Sequence, residues 1–156
     1  FIPLFKRAKA AGLGITIHAG EPAVPGIERN IRTAIEDMGA DRIGHGVQAI
    51  RDERIIQLLI DTGTPLELCP TSNWLTGAVD SFAAHPLGHL HRAGVITTIN
   101  TDDPTVMCTD LHQEIDRLLE AGNLSQDELM AVLDNGRRMS FLPAEEIGRV
   151  WSDQMA

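Results

Sequence analysis

The sequence predicts an α/β fold built on a parallel sheet. Three observations carry that expectation. Four short apolar segments are each followed by a polar loop and an amphipathic helical stretch. A glycine stands just past each of these stretches, and chemistry-bearing polar residues gather where the apolar segments end. Strands that alternate with helices pair in parallel through right-handed crossovers. Four such units fit a small open sheet or half of an eight-unit barrel, which takes about 250 residues when complete.

The chain opens Phe1-Ile2-Pro3-Leu4-Phe5 with no initiator methionine, charged leader or small-residue cleavage site, so no signal peptide is expected. Phe1, Leu4, Phe5 and Ala8 recur at helical spacing as far as Gly12. This beginning looks like the middle of a helix, and the chain is expected to be the later part of a longer protein. The first strand covers residues 14–18 and its helix about 26–38. The second strand, 42–45, leads to a helix over about 52–61. The third, 65–69, runs through a long loop to a helix around 86–93. The fourth, 95–100, leads to a helix over about 110–121. Gly39, Gly63, Gly94 and Gly122 follow these helices, where a left-handed residue commonly ends the turn. Two appended packing helices are expected over about 125–153. Ser125-Gln126-Asp127-Glu128 is a capping-box pattern, in which the serine and the glutamate satisfy each other's free backbone N–H groups. Pro143 suits the first turn of the second helix because its φ is already helical. The methionines fall on apolar helix faces and read as core filler.

Composition narrows the partners. Against 22 Asp+Glu stand 13 Lys+Arg, a net charge of −9. With no basic cluster to neutralise a phosphate backbone, nucleic acid is not an expected partner. Absent tyrosine and 4% aromatics leave few faces on which single-stranded bases could stack. No apolar run approaches the ~18–20 residues of a membrane span. Cys69 and Cys108 form no CxxC and no disulfide framework, so a reducing, cytoplasmic setting is expected.

The chemistry lies at the strand ends. His18-Ala19-Gly20-Glu21 follows the first strand, His45 closes the second, Cys69-Pro70-Thr71-Ser72-Asn73 follows the third, and Asp102-Asp103-Pro104 the fourth. Carboxyl ends of successive parallel strands converge on one mouth, where α/β active sites form. Each residue alone has a plainer account. A histidine closing an apolar strand is as often a hydrogen-bonded structural residue as a ligand. A lone Glu21 is a solvated carboxylate, and Asp-Asp-Pro is an ordinary turn. In combination they argue for chemistry. His18 and Glu21 pair a metal ligand with a proton carrier, with small Ala19 and Gly20 letting backbone and substrate approach. Gly44 and Gly46 bracket His45 and clear space around its ring. Adjacent carboxylates repel unless a cation or donors hold them, so of Asp102 and Asp103 one suits a metal while its neighbour faces a substrate. His85, before Pro86, reads as a helix-start residue. His89, His91 and His112 read as surface or partly packed helical side chains, and Cys69 as packing at a strand end.

Taken in order, these motifs resemble the adenosine deaminase family. The likeness rests on His18-Ala19-Gly20-Glu21, Gly44-His45-Gly46, residues 66–73 with Leu75-Thr76-Gly77, and Asn100-Thr101-Asp102-Asp103-Pro104. It runs from about residue 14 to 104 and implies strands five to eight of a (β/α)8 TIM barrel. Residues 1–156 would then be a single partial domain, the C-terminal half of the barrel with appended C-terminal helices. The implied activity is zinc-dependent hydrolytic removal of the 6-amino group of adenosine or a related 6-aminopurine nucleoside. On that resemblance His18 and Asp102 are ligands of one Zn2+, and Glu21 protonates purine N1. His45 orients the attacking water and helps remove its proton, while Asp103 holds the purine.

Adenine and aminodeoxyfutalosine deaminases share these motifs and remain alternatives. From outside the enzyme class, the alternative is a non-catalytic half barrel that binds a purine or a partner. The zinc site of cytidine deaminases is a different one, because it uses a PCxxC pair that this chain lacks. The adenosine deaminase family's HxH motif on its first strand is absent; His89-Leu90-His91 has the spacing but lies in a predicted helix. Two ligands fall short of the three that catalytic zinc sites use. A missing N-terminal half, from the same or a separate chain, is therefore an expected partner, and a lone half barrel would leave two strand edges unpaired.

Overall fold

The computed structural model describes residues 1–152, so the end of the last helix expected near 153 lies outside the described residues. Strands β1 (Thr16–Ala19), β2 (Arg42–His45), β3 (Leu66–Leu68) and β4 (Thr97–Ile99) form one sheet in the order β1-β2-β3-β4. Every pair is parallel, as expected. The register sets Ile17, Ile43, Leu66 and Thr97 in one row, and His18, Gly44, Glu67 and Thr98 in the next. Successive side chains of a strand point to opposite faces, so these rows divide the sheet into an apolar and a polar side. On the polar side the Thr16 hydroxyl donates to Glu67 at 2.5 Å, and Arg42 pairs with the other Glu67 oxygen at 3.0 Å.

Helices cover the apolar side. Helix α1 (Ile2–Ala10) precedes β1 and buries none of its own residues, and Phe1 and Leu4 stay exposed. Helix α2 (Glu28–Glu36) buries Ile31 and Ala34. A 3-10 turn, Val47–Arg51, leads into α3 (Glu53–Thr62), where Asp52 accepts the Arg54 N–H as N-cap and Ile55 and Leu59 face inward. Helices α4 (Pro70–Leu75) and α5 (Leu87–Arg92) follow β3; α6 (Pro104–Met107) and α7 (Leu111–Glu120) follow β4. Helix α8 (Gln126–Arg138) opens with the expected capping box of Ser125 and Glu128, and α9 (Ala144–Ser152) comes last. Ile31, Ile43, Leu59, Leu66, Leu90 and Leu118 are fully buried in one core cluster, each contributing about 1.5–3 kcal/mol of burial.

The glycines expected at helix ends all have positive φ. Two short helices, α4 and α6, stand where loops were expected. Both begin with a proline and are too short to show a periodic apolar stripe. The core-filler account fails at Met130, which is 63% exposed. The buried stripe of α8 runs through Leu129, Val132 and Asn135, and Met130 falls off it. Among the described residues no helix is long and apolar enough to cross a membrane.

Candidate active site at the carboxyl ends of the strands

Strand β1 hands its chain to a turn that only glycine can make. Gly20 has φ 69°, and a side chain there would come within 2.6 Å of Ile31 Cδ1. Packing and backbone both require this glycine. The turn brings the Glu21 carboxylate to 3.8 Å from His45 Nε2. Strand alternation alone would leave His45 on the buried face of Ile43. Instead His45 takes φ 61°, a left-handed conformation uncommon outside glycine. Its ring meets that of His18 edge to face, with centroids 4.8 Å apart.

The glycines that bracket His45 serve its neighbours. A Cβ on Gly44 would lie 2.5 Å from His18 Cδ2, so Gly44 makes room for the His18 ring across the strand pair. A Cβ on Gly46 would meet Leu66 Cδ2 at 2.5 Å.

Beyond β4, Asp102 is also left-handed, with φ 58°. Such strain costs about 1–3 kcal/mol per residue and persists where the surroundings enforce it, often at functional sites. Ser72 on α4 donates its hydroxyl to Asp102 Oδ2 at 2.8 Å, and the same oxygen lies 3.9 Å from His45 Nε2. Helix α4 is itself held by the fully buried Glu114 of α7. One Glu114 oxygen accepts the Thr71 N–H at 2.9 Å, and the other accepts the Thr109 hydroxyl at 2.8 Å.

Two groups of metal-capable side chains result: His18, Glu21 and His45, and His45, Cys69 and Asp102. The ligand atoms of each group lie within 4.8 Å of one another. Asp103 takes part in neither, and is exposed at the N-cap of α6. A cavity of about 430 Å³ opens over His18, His45, Cys69, Asn100 and Asp102. A larger groove of about 700 Å³, beside Gln48, Asp80 and Arg92, touches none of the five candidate residues.

Burial holds His45 below the ordinary imidazole range, against the upward pull of Glu21 and Asp102. Burial first, then the carboxylates of Asp102, Glu114 and Glu67, push the Cys69 thiol far up, so it stays protonated and fills space as expected. His85 accepts the Leu87 N–H at the start of α5, which is a helix-start role, but it also reaches inward. Its Nε2 lies 3.1 Å from Asn73 Oδ1, and Asn73 Nδ2 lies 3.1 Å from His45 Nδ1. Sequence reasoning assigned no role to Ser72, Asn73 or Glu114, and kept His85 to the helix start. Ser72 and Asn73 stood in the run that follows the third strand, the one available sign, but a hydroxyl and an amide carry no message until their partners are known.

Histidines and carboxylates gathered at the carboxyl ends of parallel β/α units are the layout of a TIM-barrel enzyme site, and fold and site together define that class. A family model described as adenosine deaminase matches residues 1–154. The chain is 42% identical over 146 residues to an adenosine deaminase of Serratia proteamaculans, a match covering 94% of this chain and 43% of that protein. It is 45% identical over 143 residues to that of Edwardsiella ictaluri, covering 91% and 42%. The chain belongs to the adenosine deaminase family. Among solved structures it superposes on an adenine deaminase from Arthrobacter aurescens with a TM-score of 0.87 at 31% identity, over 95% of this chain and 44% of that one. An Arabidopsis N6-mAMP deaminase gives 0.81 at 28% identity, over 96% and 43%. The chain thus spans less than half the length of the curated relatives it matches, and its fold is part of a TIM barrel.

Proposed function

We propose that, within a completed barrel, this chain serves the hydrolytic deamination of adenosine or a related 6-aminopurine nucleoside at its 6-amino group. The observation that carries this reading is His45 Nε2 standing 3.8 Å from Glu21 and 3.9 Å from Asp102, on backbone strained at both His45 and Asp102. In the reaction the oxygen of water adds to C6, the bond from C6 to the amino nitrogen breaks, and ammonia leaves behind a carbonyl. Negative charge that develops on the ring calls for a proton at N1. Glu21, with its side chain 28% exposed at the end of a glycine turn, holds and delivers that proton. The buried His45 ring orients the attacking oxygen, and Asp103, at the exposed rim, holds the purine.

His18 and Asp102 would hold a zinc ion. An imidazole nitrogen and a carboxylate oxygen suit that metal, Gly44 leaves the space the His18 ring needs, and Ser72 keeps Asp102 oriented. Bound there, zinc would lower the pKa of water from 15.7 to about 7 and so make hydroxide available at neutral pH. The further ligands that such a site requires come from the other half of the barrel, in the same or a separate chain. Relatives named adenosine deaminase support a nucleoside substrate. The superposition on an adenine deaminase favours free adenine as a second reading. Two free cysteines, Cys108 exposed, support a reducing cytoplasmic setting.

The test is turnover of adenosine, adenine and a 5′-elaborated adenosine by a full-length barrel that contains this segment, alongside its Glu21→Gln variant. Adenosine is expected to react fastest, and Glu21→Gln to keep its metal while losing about 10²–10⁴-fold in rate. Preference for adenine selects the second reading. Undiminished turnover by Glu21→Gln rejects Glu21 as the proton donor.

A further inference from the structure

We propose that Asn73 and His85 are positioning residues that set which ring nitrogen of His45 carries its proton, so that Nε2–H is presented to the mouth of the site. The proposal deepens the reading above, in which His45 faces the attacking oxygen.

A chain of imidazoles and amides normally has no intrinsic direction, because each member can donate or accept. Here one end is unambiguous. The backbone N–H of Leu87 only donates, and it meets His85 Nδ1 at 3.2 Å. His85 is neutral, since burial holds its pKa down at about 3. With Nδ1 accepting, the His85 proton sits on Nε2 and is donated to Asn73 Oδ1 at 3.1 Å. That bond orients the amide. Its NH2 is then the group that faces His45 Nδ1, also at 3.1 Å. His45 Nδ1 must accept, and the proton of the neutral ring lies on Nε2, between Glu21 and Asp102.

The chain is dry. His45 is 1% exposed, Asn73 0% and His85 3%, so water is poorly placed to replace a missing partner. Reversing any link would set two donors or two acceptors against each other and leave buried groups unsatisfied. A backbone N–H at the start of α5 therefore determines the tautomer of a histidine more than 40 residues earlier in the chain. The consequence is chemical. An N–H directed into the mouth donates to an oxygen there and holds it, but cannot take a proton from it. His45 is thus an orienting donor and not the base for that oxygen. This assignment departs from the expectation that His45 helps deprotonate the attacking water.

The experiment is the nitrogen-15 spectrum of the histidine side chains in this chain near neutral pH without added metal, where protonated and unprotonated ring nitrogens are well separated. His45 and His85 are both expected to show a protonated Nε2 and an unprotonated Nδ1. A protonated Nδ1 on either ring overturns the proposal. Asn73→Asp offers only acceptors and is expected to put a proton on His45 Nδ1, whereas His85→Gln keeps a donor toward Asn73 and is expected to leave Nδ1 unprotonated. A folded Asn73→Asp chain with His45 Nδ1 still unprotonated also overturns the proposal. If that variant does not fold, the wild-type spectrum decides alone. None of these readouts needs turnover: the expected tautomer without deamination by the full-length barrel would reject only the deaminase reading, and the opposite tautomer with deamination by that barrel only this one.

Discussion

The Ser72 hydroxyl is bonded to Asp102 Oδ2 at 2.8 Å, joining the helix that follows β3 to the strained turn that follows β4. Asp102 has its carboxylate direction held from outside its own strand. Losing the hydrogen-bond partner of a metal ligand typically lowers metal affinity 10–100-fold. Ser72→Ala is expected to weaken zinc binding by about that factor in a full-length barrel, measured by competition with a chromophoric chelator. Unchanged affinity would mean that Asp102 is held by other contacts or is no ligand.

Gly44→Ala separates room for a ligand from stability. Gly44 does not have a positive φ, so an alanine fits its backbone, and the conflict falls on the exposed His18 ring at 2.5 Å. Because that ring can swing towards solvent, the expected loss of stability is about 1 kcal/mol, at the low end of overpacking effects. Zinc affinity is expected to fall about tenfold or more, as for other disturbed ligand orientations. Thermal melts and zinc titration of the same sample check both. Intact zinc affinity would show that His18 binds in a different rotamer or not at all.

The core makes a plainer forecast. Leu59 is fully buried between the sheet and its helices, so Leu59→Ala is expected to destabilise the chain by about 2–5 kcal/mol. Met130→Ala, on the solvent side of α8, is expected to stay within about 0.5 kcal/mol apart from a small gain in helix propensity. Urea midpoints of the two variants, compared with the parent chain, measure the contrast.

His85 makes stability depend on pH in a stated direction. Its pKa is about 3 in the fold and about 6.5 in an unfolded chain. Below about 6.5 the unfolded chain binds the extra proton, so the His85 contribution is fully present above that pH. It is lost as pH falls toward 3, by up to about 1.4 kcal/mol per pH unit. Urea midpoints between pH 7 and 4 should fall less steeply for His85→Gln than for the parent. Parallel slopes would show that His85 is protonated in the fold without penalty.

The strand–helix alternation, the helix-ending glycines and the Ser125 capping box were all legible in the sequence. Each is written in residues a few positions apart, through side-chain period or a local hydrogen bond. The same local signals marked His18, Glu21, His45 and Asp102 as strand-end residues, and parallel pairing gathers them because it sets all carboxyl ends on one side. Helix α4 was not legible, since six residues behind a proline carry no periodicity. Nor was the service Gly44 renders to His18, which depends on the register between β1 and β2.

The partners of Ser72, Asn73, His85 and Glu114 belong wholly to the tertiary structure. Ser72 meets Asp102 across 30 positions, Asn73 meets His45 across 28, and Glu114 meets Thr71 across 43. A buried hydroxyl, amide or carboxylate must find a partner, but its type does not say which. Packing of the helices against the sheet makes that choice. It also puts His45 and Asp102 in left-handed turns that nothing in their side chains favours strongly. The residues that carry chemistry could therefore be read in order along the chain, while their orientation, their proton positions and the strain that aims them arise only when distant strand ends are brought together.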